Sequence, residues 1–115
     1  MKSENHEISS LADYPLQIHD LEHWTGSGQL SWQNGKTWDG DFALVRLLNG
    51  RLRFTFKLHD WMSAGSIKSL IDLKFSGQTE NGTVIKAEGI YFTHVFDMEI
   101  NVGYASQASL QTRVD

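Results

Sequence analysis

The sequence predicts an all-β protein: a single compact antiparallel sandwich or small barrel of about seven strands, with at most one or two short helical turns. Three observations carry this expectation. The dipeptide Asn-Gly occurs three times, at Asn34-Gly35, Asn49-Gly50 and Asn81-Gly82. A two-residue type I′ hairpin turn needs positive φ at both central positions, and Asn-Gly meets that at least steric cost. The sequences flanking each pair alternate apolar and polar residues with period two, the mark of a half-buried antiparallel strand. Finally, 115 residues with a 40% hydrophobic fraction are enough for one core and too few for two.

The elements follow in chain order. Gly28–Gln33 sets Leu30 and Trp32 against Gln29 and Ser31, and the Asn34-Gly35 turn pairs it with Lys36–Phe42. Phe42–Leu48 and Arg51–Leu58 flank Asn49-Gly50. In the second of these, Leu52, Phe54, Phe56 and Leu58 face one way and Arg51, Arg53, Thr55 and Lys57 the other. Asp60–Lys68 has room for a turn or two of helix crossing between the halves. Leu70–Ser76 places Ile71, Leu73 and Phe75 on one face and pairs through Asn81-Gly82 with Thr83–Phe96. In that long run the apolar phase is Ile85 and Ala87 before Gly89, then Ile90, Phe92 and Phe96 after it. A phase change at glycine predicts a β-bulge or sharp bend. Met98, Ile100, Val102 and Tyr104 form the apolar phase of the next strand, and Ala108, Leu110, Thr112 and Val114 that of the last.

Charge divides the chain in two. Residues 1–23 hold one lysine against five carboxylates, a net of −4, and residues 24–115 hold nine basic and nine acidic side chains. The expected organisation is an acidic N-terminal arm, helix or strand over part of 9–23, followed by a neutral β domain. A neutral body argues against a whole-domain nucleic-acid binder, whose footprint is basic. The absence of cysteine removes disulfide scaffolds, zinc–thiolate sites, iron–sulfur clusters and thiol nucleophiles. Met1–Ser10 lacks the apolar run of a signal peptide and no stretch is long enough to span a bilayer, so a soluble cytoplasmic protein without membrane contact is expected.

No catalytic constellation emerges. His19-Asp-Leu-Glu-His23 has the spacing of the zinc metalloprotease helix, but Trp24-Thr-Gly-Ser-Gly28 follows at once where that helix would continue. On a strand the two histidines would lie about 13 Å apart, too far for one metal. Gly35-Lys36-Thr37 ends like a phosphate-binding loop, yet Leu30 stands where the first glycine belongs and no helix follows. Asp39-Gly40-Asp41 is an acidic turn with too few ligands for calcium and too little separation for a glycosidase pair. No G-x-S-x-G elbow is present, and His94 among Phe92, Val95 and Phe96 reads as a packed histidine. No catalytic residue, metal or cofactor is therefore expected.

Two sets of residues point to binding. Arg51, Arg53 and Lys57 share one face of a strand with Arg46 on its hairpin partner, a basic stripe that either blocks edge aggregation or meets an acidic partner. Trp24, Trp38 and Trp61 sit at turns or strand ends, where tryptophans plug barrel ends or anchor interfaces. Trp24-Thr-Gly-Ser-Gly28 also resembles the W-x-G-x-G opening of calycin-like barrels, the lipocalin and nitrobindin group. The match covers five residues of 115, and no position matches the nitrobindin haem ligand. A barrel of this kind implies a small-molecule site, and Phe54, Phe56, Phe75, Phe92, Tyr91 and Trp32 of this chain would line its apolar cavity. The leading expectation is a non-catalytic protein-interaction module, self-association included, using Trp24, Trp38, Trp61, Arg46, Arg51, Arg53 and Lys57. The alternatives are that calycin-like barrel, and single-stranded nucleic-acid binding through the basic face.

Overall fold

The computed structural model describes residues 20–33, 35–60, 67–96 and 100–114. Seven strands lie among the described residues: β1 (Asp20–Ser31), β2 (Thr37–Leu47), β3 (Leu52–Leu58), β4 (Leu73–Thr79), β5 (Thr83–Phe96), β6 (Ile100–Ala105) and β7 (Gln111–Val114). The antiparallel sheet runs β4-β1-β2-β3-β6-β5-β7, and β4 also pairs with β5. Six strands therefore close into a ring, and the choice between sandwich and barrel resolves as a barrel. β7 lies outside the ring against the first part of β5, from Thr83↔Val114 to Lys86↔Gln111. β1 begins at Asp20, so Asp20–His23 of the expected acidic arm are strand.

The bend expected in β5 is present and explains how one strand serves three neighbours. β5 pairs with β7 over Thr83–Lys86 and with β4 from Val84 to Ile90; from Tyr91 to Phe96 it pairs with β6. Gly89 has φ 64, a left-handed value that a residue with a β-carbon adopts only with strain. The preceding residue is pinned by Ser106 N–H donating to the Glu88 carbonyl at 2.9 Å and by the Ser109 hydroxyl accepting from Glu88 N–H at 2.8 Å.

The hairpin turns differ from expectation. In the two whose asparagine is described, the glycine N–H donates to the carbonyl three residues earlier: Gly50 to Leu47 at 2.9 Å and Gly82 to Thr79 at 3.0 Å. Gly35 donates to Trp32 in the same way at 2.8 Å. Gly35, Gly50 and Gly82 carry positive φ, at 87, 88 and 95°; Asn49 and Asn81 do not. The Asn49-Gly50 and Asn81-Gly82 loops are therefore three-residue loops, a turn closed by a left-handed glycine in a bulge, rather than two-residue I′ turns. The asparagine contributes through its side chain instead, as Asn49 Oδ1 accepts from Arg51 N–H at 2.9 Å. Gly50→Ala should destabilise by about 1 kcal/mol through backbone strain alone, because the nearest atom to a new Cβ lies at 3.5 Å; urea denaturation would measure it.

Residues paired across the ladders share a face, so registers identify the barrel interior. Trp24↔Leu44↔Phe54↔Gly103 is one such row and Gly26↔Phe42↔Phe56↔Asn101 the next. The interior of β1 reads Trp24, Gly26, Gly28 and Leu30, with Trp32 just past its end, which gives the W-x-G-x-G pattern a physical meaning. The two tryptophans pack against the core from its margins, and the glycines between them let β4 approach closely, since a Cβ on Gly26 would fall 2.1 Å from the Gln78 carbonyl oxygen and one on Gly28 2.4 Å from that of Ser76. The Cβ on Gly28 would also meet the Cζ of Phe75 at 2.8 Å. Phe42 and Phe75 lie with ring centroids 4.6 Å apart, and Phe54 and Phe75 5.0 Å apart. The rings of Phe42, Phe54, Phe56 and Phe75 thus cluster inside the barrel.

Two strands depart from the predicted faces. Ile71, expected inside, is 65% exposed because Asp72, at φ 58, breaks the extended run and β4 starts one residue later. In β6 the predicted apolar face is inverted. Registers with Phe54 and Phe56 place Gly103 and Asn101 inside, while Ile100, Val102 and Tyr104 point outward. The bulky rings of β3 occupy the volume, so their partner strand contributes small residues there. Ahead of β7, Gln107–Ser109 is a 3-10 turn, so Ala108 precedes the last strand.

Candidate functional site

Burial sorts the expected contact residues. Trp38 is only 7% exposed and belongs to the core, paired with Leu30 on β1. Arg53 is 3% exposed, which corrects the picture of a solvated stripe. Arg46 is half-buried and held by Glu22, its Nε donating to Oε1 at 2.9 Å. Lys57 is half-buried and Arg51 exposed. Trp24 is half-buried and lines a groove of about 510 Å³ with His23, Thr25, Thr79 and Asn81. Trp61 lies outside the described residues, as does His19; His23 is exposed.

Arg51 is the residue around which a site forms. The guanidinium lies over Tyr104, with Cζ 3.6 Å from the ring centroid, a cation–π stack. One of its terminal nitrogens donates to the Tyr91 hydroxyl at 3.1 Å. The two tyrosine rings are 6.0 Å apart and tilted by 40°. β5 and β6 bring them together through the Tyr91↔Tyr104 pair, and β3 delivers Arg51 beside them because Arg53 pairs with Tyr104. These three line a groove of about 370 Å³ with Gly89, Ala105 and Ser106–Ala108. The Gly89 bend and the 3-10 turn form its far wall. A planar, prepositioned cation flanked by two phenols can take a carboxylate or stack on a flat group.

Sequence reasoning names Arg51 and misses its partners. It assigns Tyr91 to a cavity lining and Tyr104 to the core phase of β6. Arg51 and Tyr91 are 40 positions apart, so no local motif could join them; only strand register does.

The remaining polar features are structural. Asp41 Oδ1 and His59 Nε2 lie 2.9 Å apart, with both side chains more than half exposed, where an ion pair contributes little. Asp39 accepts from Gln29 Nε2 at 3.2 Å across β1 and β2. Among the described residues, no helix is long and apolar enough to cross a membrane. No family model matches the chain, and no curated protein or solved structure shows significant similarity to it.

Proposed function

We propose that this protein is a non-catalytic interaction module that engages a protein partner through the Arg51–Tyr91–Tyr104 groove. The observation that carries the reading is the stacked and hydrogen-bonded Arg51 guanidinium at an open groove. Arg and Tyr are the residue types that concentrate binding energy at interfaces. Holding the guanidinium in place beforehand also removes side-chain ordering from the cost of association. The groove is rimmed by donors and a positive charge, which favours an acidic segment on the partner. Cross-linking in native extract tests this. Arg51→Glu should lower recovery of a captured partner about 30-fold, the ~2 kcal/mol of a hot-spot residue, while Lys86→Ala, on β5 before the bend, leaves it unchanged. Undiminished capture by Arg51→Glu would overturn the reading. Sedimentation velocity separates the self-associating version, which a monomer at high concentration removes.

A second reading, single-stranded nucleic acid, draws support from the same trio, because two tyrosines beside an arginine can stack bases. It requires affinity that falls steeply with salt. Lack of binding to an oligonucleotide at low salt would end it.

A further inference from the structure

The ladder between β1 and β4 ends at Gly26↔Thr79, while β1 continues along β2 through Thr25, Trp24 and His23. Between that stretch and the β4–β5 turn lies the groove of about 510 Å³. Trp24 forms one wall. It packs on the core from the inward row, and its half-buried remainder lines the groove. The turn forms the other wall, and its side chains are fixed. Asn81 Oδ1 accepts from the Thr79 hydroxyl, from Thr83 N–H at 3.4 Å and from the Thr83 hydroxyl at 3.3 Å. Thr83 N–H also donates to Thr79 Oγ1 at 3.0 Å. With the oxygen of a planar amide held at the turn by three donors, the Nδ2 hydrogens lie on its other side. No hydrogen bond among the described residues engages them. Glu80 is exposed, lines the same groove and enters no ion pair among the described residues.

We propose that this groove is a carbohydrate site that takes a neutral sugar ring. The lining asks for three properties in one ligand: an apolar face for Trp24, an acceptor for the Asn81 amide and a donor for the Glu80 carboxylate. A hydroxyl both donates and accepts, so two neighbouring sugar hydroxyls satisfy Asn81 and Glu80. The C–H groups on one face of the ring then lie on the tryptophan. Other small ligands meet only part of this demand. An anion would face Glu80, with no lysine or arginine in the lining to offset it. A quaternary ammonium suits Trp24 and Glu80, but the pinned donors of Asn81 would then point at a positive charge. The volume lies within the ~300–1,000 Å³ of small-ligand pockets. Because Asn81 is already held by the turn, binding costs little side-chain ordering. The site shares no lining residue with the Arg51 groove and does not depend on it.

Asn81→Asp isolates the donors, since an oxygen remains to hold the turn while the N–H groups are lost. Oligosaccharides of glucose, galactose, mannose and N-acetylglucosamine, each at ~10 mM to saturate a millimolar site, are added to the isotope-labelled full chain. At least one should shift the Trp24 indole N–H and Asn81 side-chain amide signals and leave the Trp38 indole, in the core, in place. Read at the Trp24 indole, Asn81→Asp should weaken that sugar about tenfold, and Arg51→Glu should leave its affinity unchanged. No shift with any of these sugars would overturn the proposal. So would a sugar that Asn81→Asp binds as tightly as the parent does. Tetramethylammonium is the competing probe. If it moves the Trp24 indole signal where the sugars do not, and at lower concentration in Asn81→Asp, the groove is a cation site and the proposal fails.

Discussion

Replacing Phe54 with alanine should remove about 3–5 kcal/mol of stability, much of what a domain of this size has to lose. Phe54 is fully buried, and its ring centroid lies 5.0 Å from Phe75 and 6.0 Å from both Phe56 and Phe92, with Phe42 at 6.4 Å. Its cross-strand neighbour on β6 is Gly103, which has no side chain to swing into the space. The closed ring of strands also limits collapse, so the cavity should persist and the loss should fall toward the upper end. Urea denaturation monitored by tryptophan fluorescence would measure it. A loss under ~1.5 kcal/mol would mean that the interior repacks freely. An apolar cavity of this kind stays dry and accepts benzene, so benzene should restore part of the stability in the variant and none in the parent.

Gly103→Ala should be as damaging by the opposite route, destabilising by about 3 kcal/mol or more through overpacking. A β-carbon there falls 1.8 Å from the Tyr91 carbonyl oxygen and 2.6 Å from Phe92 Cα. Both are backbone atoms, so no rotamer relieves the clash and β5 must separate from β6. The close approach coincides with the register shift between Phe92 and His94. Because Tyr91 and Tyr104 are held together by this pairing, the variant should also disturb the Arg51 groove. Gly35→Ala is the comparison. It meets nothing within 4 Å and carries only the strain of φ 87, about 1 kcal/mol. Equal losses in the two variants, by the same denaturation measurement, would show that the strands do not approach so closely.

Strand identity is legible wherever one face is buried and the other wet. Leu52, Phe54, Phe56 and Leu58 form the inward row that alternation predicts, and the phase change at Gly89 locates the bend in β5. The same logic fails where both faces are buried. On β6 alternation marks Ile100 and Val102 as inward, because period two identifies two faces without saying which is which. Arg53 reads as solvated for the same reason: its charge signals water only if nothing covers the strand. Asn-Gly locates the turns but not their type, since a left-handed glycine suits both a two-residue turn and a bulged three-residue loop. Sequence position puts Trp38 at a turn, whereas its pairing with Leu30 carries it into the core. The candidate site is nearly illegible, as its arginine and two tyrosines come from three separate stretches of chain.

Closure of the ring has a consequence for how the chain is made. β3 acquires its first neighbour from the adjacent hairpin, but its other edge is satisfied only by β6, where Leu52 meets Ala105. During synthesis at ~5–20 residues per second, that edge waits about 3–10 s for its partner. Throughout that interval Phe54 and Phe56 lie on an unclosed sheet with free N–H and C=O groups beside them. The nascent protein is therefore most vulnerable to edge-to-edge association just before β6 leaves the ribosome, and its dependence on chaperones should be concentrated there.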